Sequence, residues 1–240
     1  MANEGQPIGR SFSEFFVSWE AQHKIYLDKL LTHQNDTEED SLKYLVEQVL
    51  GHYQEYYQEK SKAAESDVFI MFSPPWFSSY ERTLLWATGF KPSMAFQLVK
   101  ETVGVDLNEE QKRRIAVVRE ETRRMERQIM RAMANVQESV AAPPFCGLVK
   151  REASLVDGEV SEMEKAVEQL KAAMVAVMKD ADYLRQHTAG EVLEILSPAQ
   201  KVKFLAGTSQ FWLQSRRLGM ERDEQTKMDF QENLLTFFLN

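Results

Sequence analysis

Hydrophobic positions along this chain recur at spacings of three and four, and almost nowhere at two. Phe12, Phe16, Trp19, His23, Tyr26 and Leu30 form one such series, predicting a helix from Phe12 to His33. Leu42, Leu45, Val49, His52 and Tyr56 form the next, on a helix opened by Thr37 as N-cap with Asp40 three residues later. Side chains so spaced share one face, and each helix must bury that face against another. Ser73-Pro74-Pro75 interrupts the pattern, because proline lacks an N–H and turns its predecessor away from helix. Ser78 with Glu81 has the form of a capping box for a short helix that Gly89 ends, and Pro92 suits the first turn of a helix reaching Val103.

Asn108 with Gln111 opens a long helix, Glu109 to Ser139, whose stripe is Ile115, Val118, Thr122, Met125, Ile129, Met133 and Val136. Val160, Met163, Val167, Leu170, Met174, Val177, Ala181 and Leu184 mark its partner, Glu159 to Gln186. Heptad-like spacing over such lengths packs knobs into holes at a shallow angle. Pro143-Pro144 to Gly158 reads as the loop between them. Thr188 with Glu191 and Ser197 with Gln200 are two further capping boxes, and the last helices are expected over Pro198–Leu218 and Glu221–Leu239. The predicted fold is all-α: an antiparallel multi-helix bundle with long heptad-patterned helices, one domain over residues 8–239 after a short disordered stretch at 1–7. The same stripes also suit a homodimer.

Composition narrows the functions. A net charge of −8 with pI near 5.2 is a poor basis for a free-standing grip on nucleic acid. Cys146 is the single cysteine, so an intrachain disulfide is impossible, which suits a reducing nucleus or cytoplasm. No apolar run approaches the roughly 20 residues of a membrane span. Gly-x-Ser-x-Gly, His-Glu-x-x-His, a P-loop and Cys-x-x-Cys are all missing, so no enzyme is expected.

Two clusters of candidate chemistry stand out. Arg113, Arg123, Arg124, Arg127 and Arg131 fall within roughly 100° of one another on the long helix, opposite its apolar stripe. They read either as a docking face for an acidic partner, with calmodulin as one possibility, or as a solvated face stitched to neighbouring glutamates. His23 and His52 both lie on apolar stripes and face each other in an antiparallel hairpin. A metal there is a remote reading, and two partly buried histidines hydrogen-bonded to Tyr or Glu are the expectation. The apolar end, including Leu235 and Phe238, either docks on the bundle or is offered to a partner.

The motifs together resemble a known family. Phe15, Trp19 and Gln22; His52-Tyr53; Lys60 with Ala63-Ala64; Asp67-Val68-Phe69; Trp76; Glu81-Arg82; Leu85-Trp86; and Gly89-Phe90 run in the order of the plant delay-of-germination domain. Gln111, Ala181-Asp182, Leu184-Arg185-Gln186 and Leu196-Ser197-Pro198 with Gln200 extend the likeness to about Gly219. The same module forms the C-terminal half of TGA basic-leucine-zipper factors. Only eleven residues precede Phe12, so the resemblance is to the stand-alone branch, with no helix to enter a major groove.

The resemblance implies a non-enzymatic regulator of seed dormancy and abscisic-acid or transcription-linked signalling. Its partners would be type 2C phosphatases, transcription factors or coactivators, and its home the nucleus or cytoplasm. It implies no direct sequence-specific DNA binding and no membrane. The alternatives are a bundle that senses a metal, haem or lipid, or a regulator reaching DNA only through a partner. Haem is associated with histidines of the family's penultimate helix; here Trp212 and Arg216 stand at those positions, so no cofactor is expected. The aromatic motif residues Trp76, Phe77, Tyr80 and Trp86 are expected to plug one end of the bundle, with Arg82 paired to Asp67 or Glu81.

Overall fold

The structure is a computed structural model that describes residues 8–143, 145–150 and 157–239, with side chains described over 12–143, 145–147 and 160–231. Nine helices are seen among the described residues: α1 (Ile8–His33), α2 (Glu39–Ser66), α3 (Val68–Phe72), α4 (Ser79–Thr83), α5 (Met94–Val103), α6 (Glu109–Ala141), α7 (Phe145–Lys150), α8 (Asp157–Ile195) and α9 (Pro198–Leu239). Among them there is no strand, only an isolated bridge between Trp86 and Gly89.

Two antiparallel hairpins make the frame. In the first, early α1 meets late α2, so that Phe12 and Phe16 reach Tyr56 while Trp19 reaches His52. In the second, α6 runs against α8, with Gln111 bonded to the carbonyl of Ile195 and Thr122 to Thr188. α9 lies antiparallel to α1 and also packs on α2, α4 and α5. The core has three parts. Leu30, Val49, Val99, Val103, Val192 and Val202 fill the centre. Phe12, Phe16, Met71 and Met178 pack at one end with Trp76 and Phe77, and Ile129, Ala181 and Leu184 join α6 to α8.

Three of the expected capping boxes form. Ser78 and Glu81 exchange bonds of 2.9 and 3.2 Å, Asn108 and Gln111 of 3.1 and 2.8 Å, and Ser197 and Gln200 of 2.9 and 3.4 Å. The others do not. α2 starts after Glu38, with no side-chain cap from Thr37. Thr188 lies inside α8: it is buried, its hydroxyl meets that of Thr122 at 3.1 Å, and Ala181, Leu184, Thr188, Val192 and Ile195 continue one stripe. A hydroxyl on the buried face bonds across the interface, and the helix runs on. α9 likewise continues through Gly219, where a Cβ would collide with the Ser78 side chain, so this glycine permits close packing on α4 rather than ending a helix. The expected loop after Pro143 contains α7, and the short helix after Ser78 ends at Thr83, well before Gly89.

Candidate functional site

The motif residues converge on a turn held by buried charge. After α4 the chain makes a two-residue reversal in which Trp86 and Gly89 exchange backbone bonds of 2.7 and 3.2 Å. Ala87 and Thr88, between them, have φ of 43° and 69°, a left-handed conformation uncommon outside glycine and a true outlier for a β-branched residue. The turn is held from outside. Arg185, on α8, donates to the carbonyls of Trp86, Ala87 and Phe90, with 2.9 Å to Ala87 and 2.7 Å to Phe90. Its guanidinium also lies over the Trp86 ring, 5.5 Å from the centroid. Gly89 is small because a Cβ there would stand 2.8 Å from the Arg185 guanidinium carbon.

Behind Arg185 lies an ion cluster. Asp182 accepts from Arg185 at 2.5 Å and from Lys60 at 2.9 Å, and Lys60 donates also to the carbonyl of Thr88 at 3.0 Å. Lys60 is only 3 % exposed; burial pushes its pKa down to about 8, against the pull of Asp182. Its N–H groups donate separately to fixed acceptors, so the charge that burial opposes is held by the carboxylate of Asp182. Tyr56 and Tyr57, buried nearby, are pushed well above the usual phenol range by burial and then by the Asp182 charge.

A second cluster fastens α4 to α1 and α9. Arg216 donates to Glu20 at 2.6 Å, to the carbonyl of Trp76 at 2.9 Å and to Glu81 at 3.2 Å, and lies over the Phe16 ring. Glu81 is thus the partner of Arg216, not of Arg82. Arg82 instead bonds the carbonyl of Phe77, while Asp67 caps α3 by accepting from the N–H of Phe69. The aromatic motif divides accordingly. Trp76 and Phe77 plug the Phe12–Phe16 end of the core, whereas Trp86 joins the α6–α8 cluster. Phe90 packs edge-on against Phe211 of α9.

His23 and His52 do come together, centroids 5.4 Å apart, with Tyr53 packed edge-on to His23. They are buried more deeply than the sequence suggested, and neither nitrogen of His23 nor Nε2 of His52 has a hydrogen-bond partner, so the expected bonds to Tyr or Glu are not made. Burial, then the neighbouring His52, lowers the pKa of His23 to about 3; burial lowers that of His52 to about 4.

The arginine face of α6 is solvent-exposed along its length. Arg113 pairs with Glu110, Arg123 with Glu120 at 3.3 Å and Arg124 with Glu121 at 2.5 Å, all one turn apart. Arg127 and Arg131 have no carboxylate partner among the described residues. Leu235 and Phe238 lie beyond the described side chains. Among the described residues no helix is long and apolar enough to cross a membrane, and no three His, Cys, Asp or Glu residues are placed to hold a metal ion.

Sequence reasoning quoted Lys60, Asp182 and Arg185 as motif pieces without assigning them a site, and missed the pairing of Arg216 with Glu20. The available signal was their chemistry: a charge on an otherwise apolar helix stripe needs a partner.

Comparison with known proteins follows the same residues. Residues 26–101, which include the second helix, α4 and the pinned turn, match the family described as DOG1, seed dormancy control. The Arabidopsis thaliana protein RESPONSE TO ABA AND SALT 1 is 42 % identical over 223 residues, covering 89 % of this chain and 96 % of the relative. DOG1-like 4 of the same plant is 33 % identical, with 90 % and 94 % covered. Similarity to transcription factor TGA2.3 of rice (Oryza sativa subsp. japonica) is weaker, 27 % identity over 87 % of this chain and 63 % of the factor. With Lys60 and the Trp86–Phe90 turn inside the matched segment, and identity sustained across nine-tenths of its length, the chain belongs to the DOG1 family of seed dormancy control.

Proposed function

We propose that this protein is a non-enzymatic regulator that works by binding other proteins, in dormancy or abscisic-acid-linked signalling. Its docking surface is the arginine face of α6. The observation that carries this is the contrast within that face. Arg113, Arg123 and Arg124 are neutralised by glutamates one turn away, while Arg127 and Arg131 project from an exposed helix and meet no carboxylate among the described residues. On a chain of net charge −8, a local pair of free guanidiniums is a site for a carboxylate or phosphate presented by a partner. A type 2C phosphatase, a transcription factor or a coactivator with an acidic surface would fit it. The relatives support the class: one is named for a response to abscisic acid and salt, and others are transcription factors.

Calmodulin is less well supported, because it wraps its targets. Ile115, Thr122, Glu126 and Ile129 are buried on the opposite side of α6, and wrapping would require pulling the helix out of the bundle.

Pairwise binding of the purified chain to phosphatase, transcription-factor and coactivator candidates tests the proposal. Arg127→Glu with Arg131→Glu is expected to weaken the interaction at least tenfold and flatten its salt dependence, with no change in melting temperature. Undiminished binding of every partner by the double variant would overturn it.

A further inference from the structure

α1 and α9 run antiparallel in a register set by Glu20, which accepts from Arg216 at 2.6 Å. Beside their contact lies a furrow of about 480 Å³ that the core does not fill. Glu20, Lys24 and Leu27 line it from α1, at steps of four and three that keep them on one helix face. Gln210, Leu213, Arg217 and Met220 line it from α9, again at steps of three and four. Between Gln210 and Met220 the helix advances about 15 Å, close to three turns of a third helix laid alongside.

The furrow carries an apolar seam. Leu213 and Met220 stand seven residues apart, the repeat by which one helix seats on another, and Met220 is 42 % exposed. The antiparallel register puts Leu27 at the opposite end. Val17, 64 % exposed, continues the α1 stripe past Glu20 towards Met220. The charge is lopsided. Lys24, Arg216 and Arg217 face a single lining carboxylate, Glu20, which Lys24 at 2.8 Å and Arg216 at 2.6 Å already share. Arg217 meets Glu221 only at 3.8 Å, longer than a hydrogen bond. With Glu221 counted as well, the furrow keeps an excess of positive charge on a chain whose net charge is −8. Arg216 is committed to Glu20, Glu81 and the carbonyl of Trp76. Lys24 and Arg217, with side chains 59 % and 69 % exposed, are free to turn towards an incoming acid.

We propose that this furrow is a second docking surface, which takes an acidic amphipathic helix of a partner protein. The helix lies between α1 and α9, with apolar side chains spaced three, four and seven apart seated on Leu27, Leu213 and Met220. A carboxylate on its flank takes Lys24 and Arg217. The apolar seam supplies affinity, and the cations set orientation and turn away a basic helix of the same apolar pattern. The length of the seam selects a helix over a small acid, which would cover one end of it; a rod of three turns reaches Leu27 and Met220 together. The surface does not depend on the arginine face of α6, a helix that packs chiefly against α8.

The probe is a lactam-bridged helical peptide of about four turns, with leucines three, four and seven residues apart and glutamates beside them. Its binding to the purified full chain is followed by fluorescence anisotropy. Micromolar affinity is expected, lost in a scrambled peptide of the same composition and weakened at least tenfold when lysines replace the glutamates. Met220→Glu and Arg217→Glu should each weaken binding at least tenfold with the melting temperature unchanged. Arg127→Glu with Arg131→Glu should leave it as it was, which separates this surface from the face of α6. If either furrow variant melts early, amide resonances of the wild-type chain decide: the peptide must shift those of Leu213, Arg217 and Met220 and leave Arg127 and Arg131 in place. No binding of the glutamate peptide, equal binding of the scrambled one, preference for the lysine version, or undiminished binding by both furrow variants would each overturn the proposal. So would a wild-type chain that sediments as a dimer and becomes monomeric with Met220→Glu, because the furrow would then belong to a second copy.

Discussion

Lys60 shows how a single residue ties distant segments together. Its ammonium is held by Asp182 and the carbonyl of Thr88, and Asp182 also holds Arg185. Removing the carboxylate that a buried cluster shares leaves its cations uncompensated, at a cost of about 3–5 kcal/mol. Asp182→Asn should be the most damaging change here, since it strands two cations; Lys60→Met strands none and should cost less. Urea denaturation of both variants checks the order, and equal losses would contradict it. The histidines make a separate prediction. With folded pKa values near 3 and 4 against 6.5 in the unfolded chain, protons are taken up first by the unfolded state. Their contribution to stability is therefore whole above about pH 6.5 and declines as pH falls towards 4. At pH 5 the loss is on the order of 2 kcal/mol per histidine. Melting temperature followed from pH 7 to pH 4.5 should drop more steeply for the wild type than for a folded His52→Gln variant. Parallel profiles would contradict the assignment. The sequence placed both histidines on buried faces correctly, but not their missing bonds, because periodicity locates a side chain without showing what its polar atoms meet.

At the scale of the element, the helices follow the pattern where apolar spacing is regular and depart from it where a polar residue has a tertiary task. Thr188 looks like an N-cap because Glu191 follows it, but its position in the stripe Ala181, Leu184, Val192 puts it in the α6–α8 interface. Gly219 looks like a terminator, yet it is the point where α4 touches α9. Such cases are decided by a neighbour remote in sequence, which is why local signals misplace them. Gly219→Ala should cost about 1–3 kcal/mol through overpacking against Ser78, with helix content unchanged. A loss of helicity by circular dichroism would instead show that the glycine serves the helix itself. Asn108→Ala, by contrast, removes a true cap, and a loss of about 1 kcal/mol is expected.

Across the whole molecule, the all-α class and the antiparallel pairing of the long helices were legible, because each stripe demands a partner and only helices were on offer. The ion clusters were not, since periodicity does not say which charges meet. Nor was the turn at Ala87 and Thr88, where two residues without glycine's freedom are held at positive φ by Arg185. The pairing of Glu20 with Arg216 has a further consequence, because those residues are 196 positions apart. The first helix and the last are neighbours in the folded bundle. Contacts of such separation form late, and during synthesis α1 must wait for α9 to leave the ribosome. Until then Phe16, Trp19 and His23 lack one wall of their enclosure. Until α9 has been made, a nascent chain is therefore expected to expose an aromatic stripe that Trp212 later covers.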